Sequence, residues 1–132
     1  MSNRNNTPGL GHVPEYQASS WPWVTSSIIA SDGDVHEHNF PYVTRWLILH
    51  NKDHGGSSEL SFGFTANGVT GSNNYFSLHA GEMSPRLELK CKKIFITADT
   101  NSTPYEILAG YTAISADLFP VLTGSSGWEG VG

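Results

Sequence analysis

The stretch that decides the fold is residues 41–51, which read Pro-Tyr-Val-Thr-Arg-Trp-Leu-Ile-Leu-His-Asn. Two β-branched residues precede its arginine, and an unbroken apolar run from Trp46 to Leu49 follows. Such a run between turn-forming residues is typical of a strand that is covered on both faces. We therefore predict that residues 42–49 form the central strand of a β-sandwich, with Trp46 in its core.

The rest of the chain repeats short strand patterns between turns. Strand-like segments lie at residues 24–30, 35–40, 59–65, 75–79, 86–98 and 105–114. Charged residues make up only 14% of the 132 residues, and 14 glycines mark the turns. The sequence predicts an all-β fold, an antiparallel β-sandwich or jelly roll of about seven to eight strands. We expect an extended N-terminal arm (1–20), a β-sandwich domain (21–120) and a Gly/Ser-rich C-terminal tail (121–132).

Four local patterns give finer predictions. Alternation over residues 59–65 places Leu60 and the two phenylalanines that follow it on one face of a strand. Residues 86–98 change phase at Lys92, which indicates a bulge or a switch between sheets. Asn67-Gly68 is typical of a tight turn, and Ser115 can cap one helical turn before Pro120. The tail is expected to dock on the domain.

Composition argues against several classes of partner. The net charge is −5, and the basic cluster Lys90, Lys92 and Lys93 lies within a strand pattern, so nucleic acid is not an expected partner. No window approaches the roughly 20 apolar residues of a membrane span. Residues 1–11 lack the apolar segment of a signal peptide, which predicts synthesis in a reducing cytoplasm. Cys91 is the only cysteine and is expected to pack as a small hydrophobe.

Histidines offer the one candidate for metal chemistry. His36 and His38 follow Asp34 and would share one face of a strand, a geometry that can hold a metal. A third ligand would have to come from His50, His54 or His79. We favour exposed loop histidines instead and predict no metal site and no cofactor.

Catalytic motifs do not stand out elsewhere. The chain has no Gly-x-Ser-x-Gly elbow, Cys91 has no histidine beside it in sequence, and the glutamates are scattered over strand patterns. We predict that the protein is not an enzyme and has no catalytic residues.

Aromatic residues are the better candidates for binding. Trp21, Trp23 and Trp128 lie near the ends of the predicted domain, and Leu122 is one of the few apolar residues in the tail. We predict that these four residues contact a partner protein. Aromatic platforms also bind sugar rings in β-sandwich modules, so a carbohydrate-binding face is the alternative.

Several motifs resemble a known family. They are Phe40-Pro41-x-Val43-x-Arg45-x-Leu47-x-Leu49-x-Asn51, Gly63-Phe64-x-x-Asn67-Gly68-Val69, Tyr75-Phe76-x-Leu78-x-Ala80-Gly81-Glu82, Ile107-Leu108-Ala109-Gly110-Tyr111-Thr112-x-Ile114 and Phe119-Pro120-x-Leu122-Thr123-Gly124. Over residues 40–124 the chain resembles the jelly-roll decoration, or cement, proteins of tailed-bacteriophage heads.

The resemblance implies a non-enzymatic virion structural protein. It would bind the major capsid protein on the outside of an icosahedral shell, usually as a homotrimer, and stabilise the shell by bridging capsid subunits. The alternatives are a receptor- or glycan-binding module of a phage vertex or fibre, and a small cupin-like metalloprotein.

Overall fold

The computed structural model describes residues 21–71 and 73–132, so the predicted arm at residues 1–20 lies outside the described residues. Within this part of the chain there are seven strands, one short helix and two 3-10 turns. The strands are β1 (Trp21–Ile29), β2 (His36–Asn39), β3 (Tyr42–Asn51), β4 (Leu60–Gly63), β5 (Phe76–Leu78), β6 (Lys93–Ala98) and β7 (Thr103–Ser115). The helix is α1 (Ala66–Thr70), and the 3-10 turns are Ala116–Leu118 and Gly124–Ser126.

The strands form two antiparallel sheets. The first sheet has the order β1-β7-β3, and the second has the order β2-β6-β4-β5. Both contribute to one core, whose members include Leu47, Leu49 and Tyr105 from the first sheet and Leu60 and Ile96 from the second. The prediction of an all-β sandwich is confirmed, and the finer assignment to a jelly roll stays a prediction.

The central strand of the first sheet is β7 and not β3, so our prediction for residues 42–49 is wrong on this point. β7 has β1 on one side and β3 on the other. The second edge of β3 is bonded to an irregular segment, residues 82–91, through backbone pairs such as Leu47 with Leu87. This irregular neighbour and half-buried outward side chains explain why the apolar run in β3 resembles that of a central strand.

The predicted strand at residues 86–98 is also shorter than expected. Only β6 is regular, and residues 82–91 follow β3 in the first sheet instead. Thr44 Oγ1 joins the two by donating to the Leu89 carbonyl at 2.7 Å and accepting from the Cys91 amide at 3.0 Å. The chain then enters the second sheet at Lys93, which confirms the predicted switch between sheets.

Asn67 and Gly68 lie in helix α1, so the prediction of a tight turn is wrong there. Thr65 caps the helix by accepting a hydrogen bond from the Gly68 amide at 2.8 Å. A side chain at Gly68 would meet the Val131 carbonyl and Thr65 Oγ1. Glycine is therefore required at this position by close packing.

The C-terminal predictions hold in outline. Ser115 Oγ accepts a hydrogen bond from the Asp117 amide and caps the 3-10 turn Ala116–Leu118. The tail docks on α1, because Thr65 Oγ1 donates to the Val131 carbonyl at 2.7 Å. It also closes on itself through Gly124 N and the Gly132 carbonyl, 2.9 Å apart.

Candidate interaction surface

The histidines of β2 are half-buried, so the prediction of exposed loop histidines is wrong. Both point to the same phenol: His36 Nδ1 lies 2.7 Å and His38 Nε2 2.6 Å from Tyr105 Oη. Tyr105 is fully buried on β7, while the histidines belong to the other sheet. We call these three residues the His-Tyr-His cluster, and it joins the two sheets by hydrogen bonds.

Burial disfavours a charge on two members of the cluster, Tyr105 and His38. Burial raises the pKa of Tyr105 to about 12. Burial, followed by repulsion from His36, lowers the pKa of His38 below its ordinary value. A phenol has one proton to donate, so at neutral pH it donates to one imidazole and accepts from the other. This arrangement gives the Tyr105 hydroxyl and one ring nitrogen of each histidine a hydrogen-bond partner, which is a structural role.

Metal binding receives no geometric support in the part of the chain that the structure describes. No group of three or more His, Cys, Asp and Glu side chains there is placed to hold an ion. His50 Nδ1 bonds Glu106 at 2.9 Å, and His79 Nδ1 lies 3.4 Å from Glu59. The histidines considered as third ligands thus have other partners or neighbours, His54 lying against the His50 ring.

Cys91 is almost fully buried, with 1% of its surface exposed. Burial raises the pKa of its thiol to about 11, because the thiolate would be poorly solvated. Its sulfur lies 3.4 Å from Thr44 Oγ1. The thiol is therefore inert at neutral pH, as the sequence predicted for a packed hydrophobe.

The outward side of the first sheet is the most distinctive surface. Cross-strand partners share a face, and their register aligns Val24 with Leu108 and Ile48, and Pro22 with Gly110 and Trp46. Val24 is 68% exposed and Leu108 is 40% exposed, while Ile48 and Trp46 are half-buried. We define the outer face as Pro22, Val24, Ile28, Trp46, Ile48 and Leu108. Trp46 was predicted to lie in the core, and that prediction is wrong.

A charged row crosses this outer face. Ser26, Glu106 and His50 are aligned by the strand register. Glu106 accepts from His50 at 2.9 Å and lies 3.8 Å from Lys52 Nζ and 3.4 Å from Ser26 Oγ. The hydrogen bond from His50 lowers the pKa of Glu106. Because Glu106 in this row is paired with His50 and Lys52, a partner can cover the apolar residues on either side without burying an unpaired charge.

The residues predicted for partner binding fall into two separate places. Trp21 is 68% exposed at the start of β1. Trp23 turns inward, with its ring centroid 4.8 Å from that of Phe40 and 6.0 Å from that of His38. Its indole is therefore engaged within the fold, although a role in binding stays a prediction.

Leu122 and Trp128 lie together at the C-terminal end of the chain. They line one groove with Phe119, Pro120 and Val131. Leu122 and Phe119 also line a neighbouring cavity of about 140 Å³ beside Lys92. The structure thus groups two of the four predicted residues and separates them from the β1 tryptophans.

Sequence reasoning missed the outer face. Its signal was present in β1, where Pro22, Val24, Ser26 and Ile28 alternate with Trp23, Thr25, Ser27 and Ile29. Both sets are largely uncharged, so the sequence could not show which set faces the core. In the structure the inward set is half-buried or buried, and the outward set is left exposed.

Comparison with known proteins leaves the family open. No protein-family model matches the chain, and no curated protein matches it. A crystal structure of PirA is similar at 12% identity and a TM-score of 0.40, covering 67% of this chain and 94% of that one. A structure of disulfide-linked pili from Bacillus endospore appendages is similar at 8% identity and a TM-score of 0.40, covering 74% and 90%. Neither likeness is close enough to inform function.

One further finding concerns membranes. Within residues 21–71 and 73–132, no helix has the length and apolar character needed to cross a bilayer.

Proposed function

We propose that this chain is a non-enzymatic structural protein that attaches to a larger protein assembly through its outer face. On the basis of the sequence resemblance to phage decoration proteins, we propose that this assembly is an icosahedral capsid and that the protein binds its exterior. The major capsid protein would be the partner, and the bound protein would be located on the virion surface.

The observation that carries the proposal is the exposed apolar part of the outer face. Large aliphatic side chains in a soluble domain are normally covered, and a contiguous exposed group of them marks an interaction site. Val24 and Leu108, 68% and 40% exposed, lie opposite each other on adjacent strands, and Ile28, 57% exposed, lies on the other side of the charged row. Covering the part of each side chain that is still exposed would contribute roughly 0.6–2 kcal/mol, a proportional share of the about 1.5–3 kcal/mol for a fully exposed one.

The form of the surface also fits protein better than a small molecule. The outer face is one side of a sheet and not a concave pocket, and its charged row is satisfied by internal pairs. Small-molecule sites are typically concave, whereas protein interfaces combine an apolar centre with paired polar groups. A rigid strand surface of this type is suited to bridging neighbouring capsid subunits.

The test is sedimentation with undecorated capsids. We expect saturable binding of the wild-type protein at a ratio consistent with icosahedral symmetry, and a higher capsid melting temperature. The double variant Val24→Glu, Leu108→Glu should bind at least about tenfold more weakly, because charges would be desolvated at the interface.

The matched control is Phe76→Glu on β5, whose side chain is 64% exposed but belongs to the second sheet. It should bind like the wild type. Equal binding by all three proteins would remove the outer face from the proposal, and no binding by the wild type would overturn attachment to capsids.

A glycan-binding module is the second candidate, because the Trp21 indole is 68% exposed at one end of the first sheet. Exposed indoles can stack on sugar rings. Binding on a glycan array that disappears in Trp21→Ala, together with no binding to capsids, would favour this candidate.

A further inference from the structure

Strand β1 forms one edge of the first sheet, and some of its backbone N–H and C=O groups do not bond to β7. Within the described residues, β1 pairs with β7 alone. On β7, Pro104 uses its carbonyl to accept from Lys52 N of the β3 side. Hydrogen-bonding direction alternates along a strand, so even-numbered residues of β7 face β3 and odd-numbered residues face β1.

The same alternation determines which backbone groups of β1 point toward β7 and which point away from it. Ile28 is opposite Pro104, so this is a pair without mutual hydrogen bonds, as are Ser26 with Glu106 and Val24 with Leu108. The N–H and C=O groups of Val24, Ser26 and Ile28 therefore point away from β7, toward the free edge of the sheet.

Within residues 21–71 and 73–132, this edge lacks the protection that natural sheet edges usually carry. Edge strands are commonly short or interrupted by lysine, proline or a bulge. β1 is nine residues long, has no charged residue and pairs with β7 without a register shift. Its one proline, Pro22, lies at the start, which leaves the segment from Val24 to Ile28 open to another strand.

We propose that β1 pairs with β1 of a second copy of this chain, antiparallel and about a two-fold axis at Ser26. Each of Val24, Ser26 and Ile28 then gives and accepts one backbone hydrogen bond across the axis. The two three-stranded sheets become one continuous six-stranded sheet.

The side chains favour this register. With Ser26 opposite Ser26, Val24 of each copy lies opposite Ile28 of the other, on the same face. Both residues are more than half exposed in the single chain. Cross-strand pairs of β-branched residues stabilise antiparallel sheets. A register with its axis at Thr25 would instead place Val24 opposite Ser26 and leave Ile28 opposite Pro22.

The distribution of charge permits a second copy as the occupant. The chain carries a net charge of −5, so approach of two copies is opposed on most surfaces. β1 has no charge of its own, and Glu106 behind it is paired with His50 and Lys52. Two copies can therefore meet along β1 without bringing unpaired like charges together.

The inference goes beyond the proposed function and is tested on the purified full chain without capsids. Sedimentation equilibrium over a series of concentrations should give twice the chain mass at high concentration. The trimer implied by the sequence resemblance would give three times that mass, so the two states are readily separated.

Ser26→Lys is the disrupting variant, and Ser26→Thr is its control. In the single chain a lysine here can pair with Glu106, whose Oε2 is 3.4 Å from Ser26 Oγ, so folding is retained. Across the axis two lysines would face each other. We expect the dissociation constant of the dimer to rise at least about tenfold for lysine and to remain within about twofold for threonine.

A cysteine at position 26 tests the register. In a hydrogen-bonded antiparallel pair the two Cα atoms are about 5.5 Å apart, within the range that a disulfide spans. Ser26→Cys should form a covalent dimer on mild oxidation, and Phe76→Cys should not. The native Cys91 is buried and does not interfere.

The outcomes separate cleanly. A dimer that Ser26→Lys weakens and Ser26→Cys traps supports the proposal. The proposal would be overturned if the wild-type protein is a monomer at all concentrations or a trimer. It would also be overturned if Ser26→Lys leaves the dissociation constant of the dimer unchanged. None of these results depends on binding to capsids, so failure here is distinct from failure of the proposed function.

Discussion

Tyr105 shows how one buried hydroxyl can organise residues from two sheets. Its side chain is fully buried, and its oxygen lies within 2.7 Å of a nitrogen on each of His36 and His38. The sequence allowed the two histidines to share one face of a strand, because they are two residues apart, but the prediction that we favoured, exposed loop histidines, is wrong. It could not show their burial, since the partner lies 67 residues further along the chain.

Removing this hydroxyl should destabilise the fold. Tyr105→Phe keeps the ring in the core but leaves both imidazoles without their common partner. We expect the free energy of unfolding to fall by about 1–3 kcal/mol, measured by urea denaturation. The control Tyr75→Phe, on an exposed ring, should change it by less than about 0.5 kcal/mol. Equal stability of wild type and Tyr105→Phe would contradict a structural role for the cluster.

The same cluster predicts a dependence of stability on pH. The folded-state pKa of His38 lies below the value of 6.5 expected in the unfolded chain. The unfolded state then binds more protons, so the contribution of His38 is present above pH 6.5 and is lost as the pH falls below it. Burial is the larger cause of this lowered pKa of His38, and repulsion from His36 is the second.

Urea denaturation at about pH 7.5 and about pH 5 measures this effect. We expect the loss of stability at the lower pH to be smaller in His38→Gln than in the wild type. His54→Gln, on the surface, should retain the wild-type loss. An unchanged loss in His38→Gln would assign the dependence to other groups.

At the scale of elements, β3 illustrates both the strength and the limit of pattern reading. Its apolar run located the strand, which begins at Tyr42 as predicted and ends at Asn51, two residues beyond the predicted end at residue 49. The pattern did not show that its second neighbour is an irregular segment. That pairing depends on Thr44, whose hydroxyl bonds Leu89 and Cys91 at a distance of 45 or more residues in sequence.

Thr44→Val should therefore loosen this segment from the sheet. Valine fills the same volume but leaves the buried amide of Cys91 without its acceptor. We expect a loss of about 1–3 kcal/mol in the free energy of unfolding and faster amide hydrogen exchange at residues 87–91. Thr70→Val, at an exposed position of α1, is the control. Unchanged exchange at residues 87–91 would show that Thr44 is dispensable for this contact.

Helix α1 and the tail are joined at Gly68. Gly68→Ala would push its new methyl group against the Val131 carbonyl and the capping Thr65. We expect destabilisation of about 1–3 kcal/mol and a change in Trp128 fluorescence as the tail shifts. Gly71→Ala is the control, because its methyl group would meet mainly the adaptable side chain of Asn67. A wild-type melting temperature in Gly68→Ala would mean that the tail is not held in this way.

At the scale of the whole molecule, alternation, turns and composition were enough to predict an all-β sandwich. They were not enough to predict the outer face, which we propose as the interaction surface. The sequence drew attention to tryptophans at the ends of the domain, and the structure turns Trp23 inward and leaves Val24 and Leu108 outside. The packing of strands that are distant in sequence decides which side of an uncharged strand faces the core. This packing cannot be read from a single sequence.

The central claim is that the outer face is the attachment surface, and hydroxyl-radical footprinting of the protein with and without undecorated capsids tests it most directly. We predict that labelling of Trp46, Ile48 and Leu108 falls on binding, while Phe76 on the second sheet is labelled equally in both samples. Protection confined to Leu122 and Trp128, with Leu108 still fully labelled, would contradict the claim and place attachment at the C-terminal groove.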